Sequence, residues 1–174
     1  MGRDKALLPW NGSTLIDSVA GIVRSATGSA TLVGDPGRVG GLGYPVIPDL
    51  HPGCGPIGGL ETALQLGLAS WNLVTACDMP RLSVQTLRQL VEETLGVHER
   101  LSCIVPLTDR GWQPLCAVYH LSCLLVVSQA VANKRFKMMD LIAQLRPVPV
   151  RLETSVLANV NTPGEWDEVL AADL

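Results

Sequence analysis

A near-continuous apolar run, residues 71–77, stops abruptly at Asp78-Met79-Pro80. A segment of that length with no polar alternation suits a strand buried on both faces, and such a strand needs helices above and below it. The rest of the chain supplies them. Leu15, Val19, Ile22 and Val23 stand at helical spacing over 14–26, behind the turn Asn11-Gly12 and a capping Ser13. Helical spacing returns over 57–69, 84–95, 121–132 and 138–145. Between these segments, short strand-like runs fall at 30–33, 44–47, 103–107, 115–119, 148–152 and 157–160. At the end of the chain Thr162, Pro163 and Glu165 form a helix-starting box. Strand–helix alternation of this kind predicts one α/β domain over 1–174, its sheet mostly parallel and covered by helices on both faces.

Composition agrees and narrows the function classes. Of 174 residues, 47% are hydrophobic and 17% charged, enough to bury a core and too apolar for disorder. Aromatics are 4%, so aliphatic side chains fill that core, while 17 Gly and 12 Pro cluster at segment ends as punctuation. A net charge of −3 argues against a nucleic-acid partner, yet leaves room for one phosphorylated small molecule held at a local site.

The five cysteines, Cys54, Cys77, Cys103, Cys116 and Cys123, are widely spaced and form no C-x-x-C. Cys116, His120 and Cys123 invite a metal reading, but a fourth ligand is missing and the spacing fits no finger. The residues after Met1 carry no apolar leader, and the longest apolar stretch, 121–132, is too short to span a bilayer. A reducing cytoplasm, with no membrane partner, is the expected setting.

In an open α/β sheet, ligands bind beyond the carboxyl ends of the strands. Three features fall there. Asp78 closes the most apolar strand; it suits a Mg²⁺ ligand, although a carboxylate before Pro also serves as a plain turn residue. Asp49 precedes a loop, Pro52-Gly53-Cys54-Gly55-Pro56-Ile57-Gly58-Gly59, in which glycines let backbone amides approach a phosphate or a flat base; a tight structural turn is the other reading. Lys5, within Met1-Gly2-Arg3-Asp4-Lys5, can hold phosphate as a point charge or belong to a solvated end.

Taken in order, M-G-x-D-K-A-L-L, P-D at a strand end, G-P-I-G-G-L, C-D-M-P, Q-P-L-C-A-V-Y and N-V-N-T-P resemble the molybdenum cofactor guanylyltransferases, from Gly2 to about Leu170. The resemblance implies a Rossmann-like nucleotidyltransferase domain and assigns residues. Gly2 belongs to a nucleotide-wrapping loop, and Lys5 matches a lysine on the nucleotide phosphates. Asp49 with Gly55, Pro56, Ile57 and Gly58 matches the segment that recognises guanine and ribose. Asp78 matches the aspartate that holds Mg²⁺. Asn159 and Asn161 match an element near the pterin, although asparagines there also form turns and caps. Gly34 stands where some relatives place a nucleotide-contacting Asn. Lys134, Arg135 and Lys137 form a basic cluster suited to a pterin phosphate or simply to water.

The implied reaction joins GTP to molybdenum-loaded molybdopterin with release of pyrophosphate, Mg²⁺ assisting. Molybdoenzyme apoproteins or their chaperones are further partners the resemblance allows. A phosphate nucleophile needs no catalytic triad, and His51, His98 and His120 compose none. A CTP- or sugar-phosphate-using enzyme of the same fold is the nearer alternative, and a non-catalytic pterin- or partner-binding relative the more distant one. Family members carry an apolar strand and an L-A-G-G-x-S-x-R-M-G loop before the D-K. This sequence opens at the Met-Gly of that loop, so the expectation is a domain without its N-terminal strand and glycine loop.

Overall fold

Three helices of this chain begin where a side-chain oxygen accepts from a free backbone N–H, at Thr14, Asp35 and Ser83. The computed structural model describes residues 5–97, 102–160, 164–166 and 171. After a single 3₁₀ turn at Lys5–Leu7 come a two-residue hairpin, β1 (Pro9–Trp10) and β2 (Ser13–Thr14), and helix α1 (Leu15–Thr27). There follow β3 (Leu32–Val33), the short α2 (Pro36–Val39), β4 (Val46–Ile47), α3 (Pro56–Gln65), β5 (Trp71–Thr75) and α4 (Val84–Glu92). The second half contributes β6 (Ser102–Thr108), β7 (Gly111–Trp112), β8 (Cys116–His120), α5 (Leu124–Ala132), α6 (Met138–Ile142) and β9 (Arg146–Arg151).

The α/β layering follows the sequence pattern, and the sheet is mixed. β5, β8, β6 and β9 lie side by side, with β7 on the end of β6. β9 runs parallel to β6, whereas β8 runs antiparallel to both β5 and β6. Apolar patterning carries no strand direction, so that reversal was not legible beforehand. β3 and β4 form a separate parallel pair. Alternation along the central strands divides the core. Cys103 and Val105 of β6 and Ala117 and Tyr119 of β8 face α3, α5 and α6; Ile104, Cys116 and Val118 face α1 and α4 on the other side.

Several boundaries differ from expectation. The cap of α1 is Thr14, whose Oγ1 accepts from Asp17 N at 3.4 Å, rather than Ser13, whose hydroxyl donates within the preceding hairpin. Residues 157–160 make no strand. A 3₁₀ turn covers Thr154–Leu157, and Val160 N then donates to Asp78 O at 3.0 Å, tying the segment to the end of the sheet. β5 is half-buried throughout instead of buried on both faces, for a reason given by the cavity beside it. Of the C-terminal helix start, Thr162 and Pro163 lie outside the described residues; Glu165 is helical.

Candidate active site

A cavity of about 710 Å³ opens between β3 and β5. Its sides are the apolar faces of α1 (Ile16, Val19, Val23) and α3 (Leu60, Ala63), with residues 30–33 and 73–77 along its edges. Among the described residues β3 pairs only with β4, and β5 only with β8, so the edges that face the cavity carry no strand partner. Lys5, Pro56, Gly59 and Asp78 all line it, and the Lys5 ammonium acts on the Asp78 carboxyl. Three segments far apart in sequence thus share one cavity, with Asp78 beyond the carboxyl end of β5, where chemistry is expected in such a sheet.

Asp78 sits three residues beyond β5 and is half-buried. Loss of water raises its carboxyl above the ordinary value of 3.8, against the opposing pull of its backbone hydrogen bond and of the Lys5 ammonium. Its Oδ1 is buried without a hydrogen-bond partner. So is Oδ1 of Asn159, the residue just before Val160, which bonds the Asp78 carbonyl. Buried oxygens are rarely left unsatisfied without a reason such as an ion. A carboxylate and an amide oxygen, with room beside them for phosphate, suit the hard oxygen coordination of Mg²⁺.

Thr14, Asp35 and Ser83 cap α1, α2 and α4, but α3 begins at Gly55 with no side-chain cap, as do α5 and the short α6 away from the cavity. Gly55 adopts φ 69°, a left-handed conformation that disfavours any side chain. An uncapped N-terminus leaves N–H groups for an anion or a base carbonyl. The loop before it is anchored from below. Asp49 Oδ1 accepts from His51 N at 2.9 Å, and Thr62 Oγ1 accepts from Leu50 N at 3.1 Å while donating to Gly58 O at 2.9 Å. Gly58 is there because a Cβ would stand 3.0 Å from His51 O and 3.3 Å from Asp49 Oδ1.

Residues 1–148 match the family described as the MobA-like NTP transferase domain. The chain belongs to the MobA-like NTP transferases. It is a nucleotidyltransferase of the molybdenum-cofactor branch by similarity along nearly its whole length. A protein of Pelotomaculum thermopropionicum named "Probable molybdenum cofactor guanylyltransferase" is 32% identical, over 95% of this chain and 83% of that one. Another, from Carboxydothermus hydrogenoformans, is 30% identical over 98% and 88%. Among solved structures, molybdopterin-guanine dinucleotide biosynthesis protein A of Archaeoglobus fulgidus superposes with a TM-score of 0.77 at 23% identity, covering 99% of this chain and 93% of that one. The 2-C-methyl-D-erythritol 4-phosphate cytidylyltransferase of Thermus thermophilus, with a TM-score of 0.70 and 16% identity over 97% and 94%, shares the same fold.

Within this MobA-like domain the residues anticipated from sequence divide into groups. Lys5, Pro56 and Asp78 line the cavity, with Gly55 at the start and Ile57 and Gly58 in the first turn of α3, the helix that contributes Pro56. Asp49 does not line the cavity; it braces the loop from behind. Asn159 belongs beside Asp78, next to the residue that bonds its carbonyl. Gly34 continues β3, donating to Ile47 O at 2.9 Å. Gly2 and Asn161 lie outside the described residues. Lys134, Arg135 and Lys137 are exposed and away from the cavity; Lys134 N and Arg135 N close off α5 by bonding Val131 O and Ala130 O.

In the segment Gln113 to Tyr119, Leu115 lines the cavity, while the polar side chains bond within the sheet and its turns. Gln113 Nε2 bonds Thr108 Oγ1 and Gly111 O in the β6–β7 turn, and the buried Tyr119 hydroxyl donates to Pro114 O at 2.7 Å. Cys103, Cys116 and Cys123 are buried thiols pushed up to about 12 by loss of water, hence protonated at neutral pH. No group of three or more His, Cys, Asp or Glu is assembled into a metal cluster among the described residues. None of the described helices is long and apolar enough to cross a membrane.

Sequence reasoning missed Glu61 and Thr62. Glu61 is buried on α3 beside the core residues Leu60 and Leu64, and an acid at an apolar helical position, four after Ile57, was the available signal. For Thr62 no signal existed, because its partners are twelve and thirteen residues away in the loop.

Proposed function

We propose that this nucleotidyltransferase transfers GMP from GTP to the terminal phosphate of molybdenum-loaded molybdopterin, forming the guanine dinucleotide and pyrophosphate. The observation that carries the reading is that Lys5, Asp78 and the uncapped start of α3 line one cavity. The similarity to proteins named molybdenum cofactor guanylyltransferase supports the choice of substrates.

In this reading the N–H groups at the start of α3 and the loop braced by Asp49 receive the guanine and ribose. Lys5 lies against the triphosphate and offsets its charge. Asp78, with Asn159 beside it, would hold Mg²⁺, whose chemistry when bound is to neutralise phosphate charge and steady the pyrophosphate as it leaves. A pterin phosphate oxygen forms the new bond to the α-phosphorus while the α–β phosphoanhydride bond breaks. That nucleophile is largely dianionic at neutral pH, with a second pKa of about 6, so no general base is required. The histidines agree with this: His51 is paired with Glu61 and His120 Nδ1 with Ser122 Oγ, neither aimed at a nucleophile. His98 lies outside the described residues. Catalysis then rests on positioning and charge neutralisation. The product would pass to a molybdoenzyme apoprotein or its chaperone.

The test is dinucleotide formation from α-labelled GTP and molybdenum-loaded molybdopterin, with CTP and hexose 1-phosphates in parallel. Labelled dinucleotide and pyrophosphate from GTP alone are expected. Transfer from CTP with GTP ignored would overturn the choice of base, and transfer to a sugar phosphate the choice of acceptor.

A further inference from the structure

Glu61 has no evident reason to be charged. Its carboxylate is only 3% exposed, on a helix whose neighbouring buried positions are Ile57, Leu60 and Leu64. A buried carboxylate is tolerated only when it is paired. Gln65 Nε2 bonds one oxygen, Oε1, at 3.3 Å. The other, Oε2, has no hydrogen-bond partner and lies 3.2 Å from His51 Nε2. The imidazole of His51 is the basic group that the structure sets beside that oxygen.

His51 in turn stands at the root of the glycine loop. Its backbone N donates to Asp49 Oδ1 at 2.9 Å, and its carbonyl accepts from Cys54 N at 3.1 Å and comes as close to α3 as Gly58 allows. Beyond it the chain passes through Gly53 at φ 89° and Gly55 at φ 69°, residues with little conformational preference of their own. The imidazole therefore ties the last well-anchored residue of the loop to the interior of the helix that the loop introduces.

We infer that His51 is a positioning residue for the nucleotide: its pairing with buried Glu61 holds residues 52–55 at a fixed distance from the first turn of α3, so that the N–H groups of the loop and of that turn are arranged before the base arrives. This rests on the proposed role of that loop in receiving a nucleotide. Pre-arranged donors improve binding by removing an ordering cost, so the effect falls on nucleotide affinity and not on the chemical step.

The experiment uses the full chain with His51→Ala, His51→Gln, Glu61→Gln and the double variant His51→Ala/Glu61→Gln. In His51→Ala, KM for GTP should rise about tenfold, as for other orienting contacts outside the reacting groups, with kcat within about twofold. His51→Gln keeps a donor and should recover most of the loss. The double variant should be no worse than the worse single one, because both remove the same contact. Hydrogen exchange gives a readout independent of turnover: amides of residues 53–59 should exchange faster in His51→Ala, while those of β6 and β8 stay unchanged. An unchanged loop exchange rate overturns the pairing. Faster exchange with an unmoved KM overturns the positioning role alone. If the wild-type protein uses CTP in place of GTP, the choice of base falls and the same KM shift is read with CTP. If it uses no nucleotide, both readings fall together.

Discussion

Two halves of the same sheet layer are built from similar residues and end up in different states. In β6 and β8, Ile104, Val105, Val118 and Tyr119 are fully buried, since both strands have neighbours on both edges and helices on both faces. In β3 and β5, Leu32, Val33, Leu73 and Val74 are equally apolar yet only half-buried, because their facing edges border the cavity that Lys5 and Asp78 also line. The first region is dense and closed. The second is open, and Asp78 at its edge keeps a buried carboxylate oxygen without a hydrogen-bond partner. In the proposed reading dense packing lies in one region and the reacting groups in the other, as expected where a site needs charge that a closed core would not tolerate.

The largest effect that would sharpen this contrast is at Asp78. Asp78→Asn should lower transfer by about 100-fold or more, measured as pyrophosphate release, yet raise thermal stability near neutral pH. The sign follows from the raised carboxyl. The fold favours the protonated acid, so this contribution is fully present below the ordinary 3.8 and is lost as pH rises through the higher folded value. An amide carries no such loss, so the advantage of Asn should shrink as pH falls. An Asn variant less stable than wild type at pH 7 would contradict the burial argument.

Next come paired truncations read by denaturant unfolding. Ile104→Ala, in the closed region, should cost about 2–5 kcal/mol, because it leaves a sealed void. Leu32→Ala, lining the open cavity, should cost about 1 kcal/mol or less, since little enclosed surface is lost. Equal costs would erase the distinction between the two halves. A smaller change is expected for Gly58→Ala. Its Cβ would press on His51 O, shifting the loop by a few tenths of an ångström and raising nucleotide KM several-fold, with little change in global stability. The gentlest probe is alkylation at pH 8. Cys54 and Cys77, half-exposed near the site, should react in the native protein. Cys103, Cys116 and Cys123, pushed up to about 12, are ionised to only about one part in 10⁴ at that pH and should react after unfolding. Labelling of the three buried thiols at native rates would show that the closed half opens readily.

Much of the site was readable because it obeys local rules. A carboxylate after an apolar strand and a glycine loop before a helix are features of contiguous residues, and Asp78 and Gly55 to Gly58 came from them directly. Asn159 came from the resemblance, as an element near the pterin; nothing local connects it with Asp78 far earlier in the chain, and the Val160–Asp78 hydrogen bond makes that connection. The His51–Glu61 pair was missed for the same reason, although an acid on an apolar helical face was in plain view. Lys134, Arg135 and Lys137, which suited either a phosphate or plain solvation, are exposed just past the end of α5.

Amino-acid order by itself determined the alternation of strands and helices, the division of β6 and β8 into two core-facing sides, and the placing of Asp78 and the glycine loop at element ends. These follow from side-chain period and turn chemistry within a few residues of each other. The tertiary structure alone decided that β8 runs against its neighbours, that β5 stays half-buried beside a cavity, and that Lys5, Asp78 and the start of α3 line that cavity, with Asn159 tied beside Asp78. An apolar strand reads the same in either direction, and its burial belongs to whichever elements lie beside it.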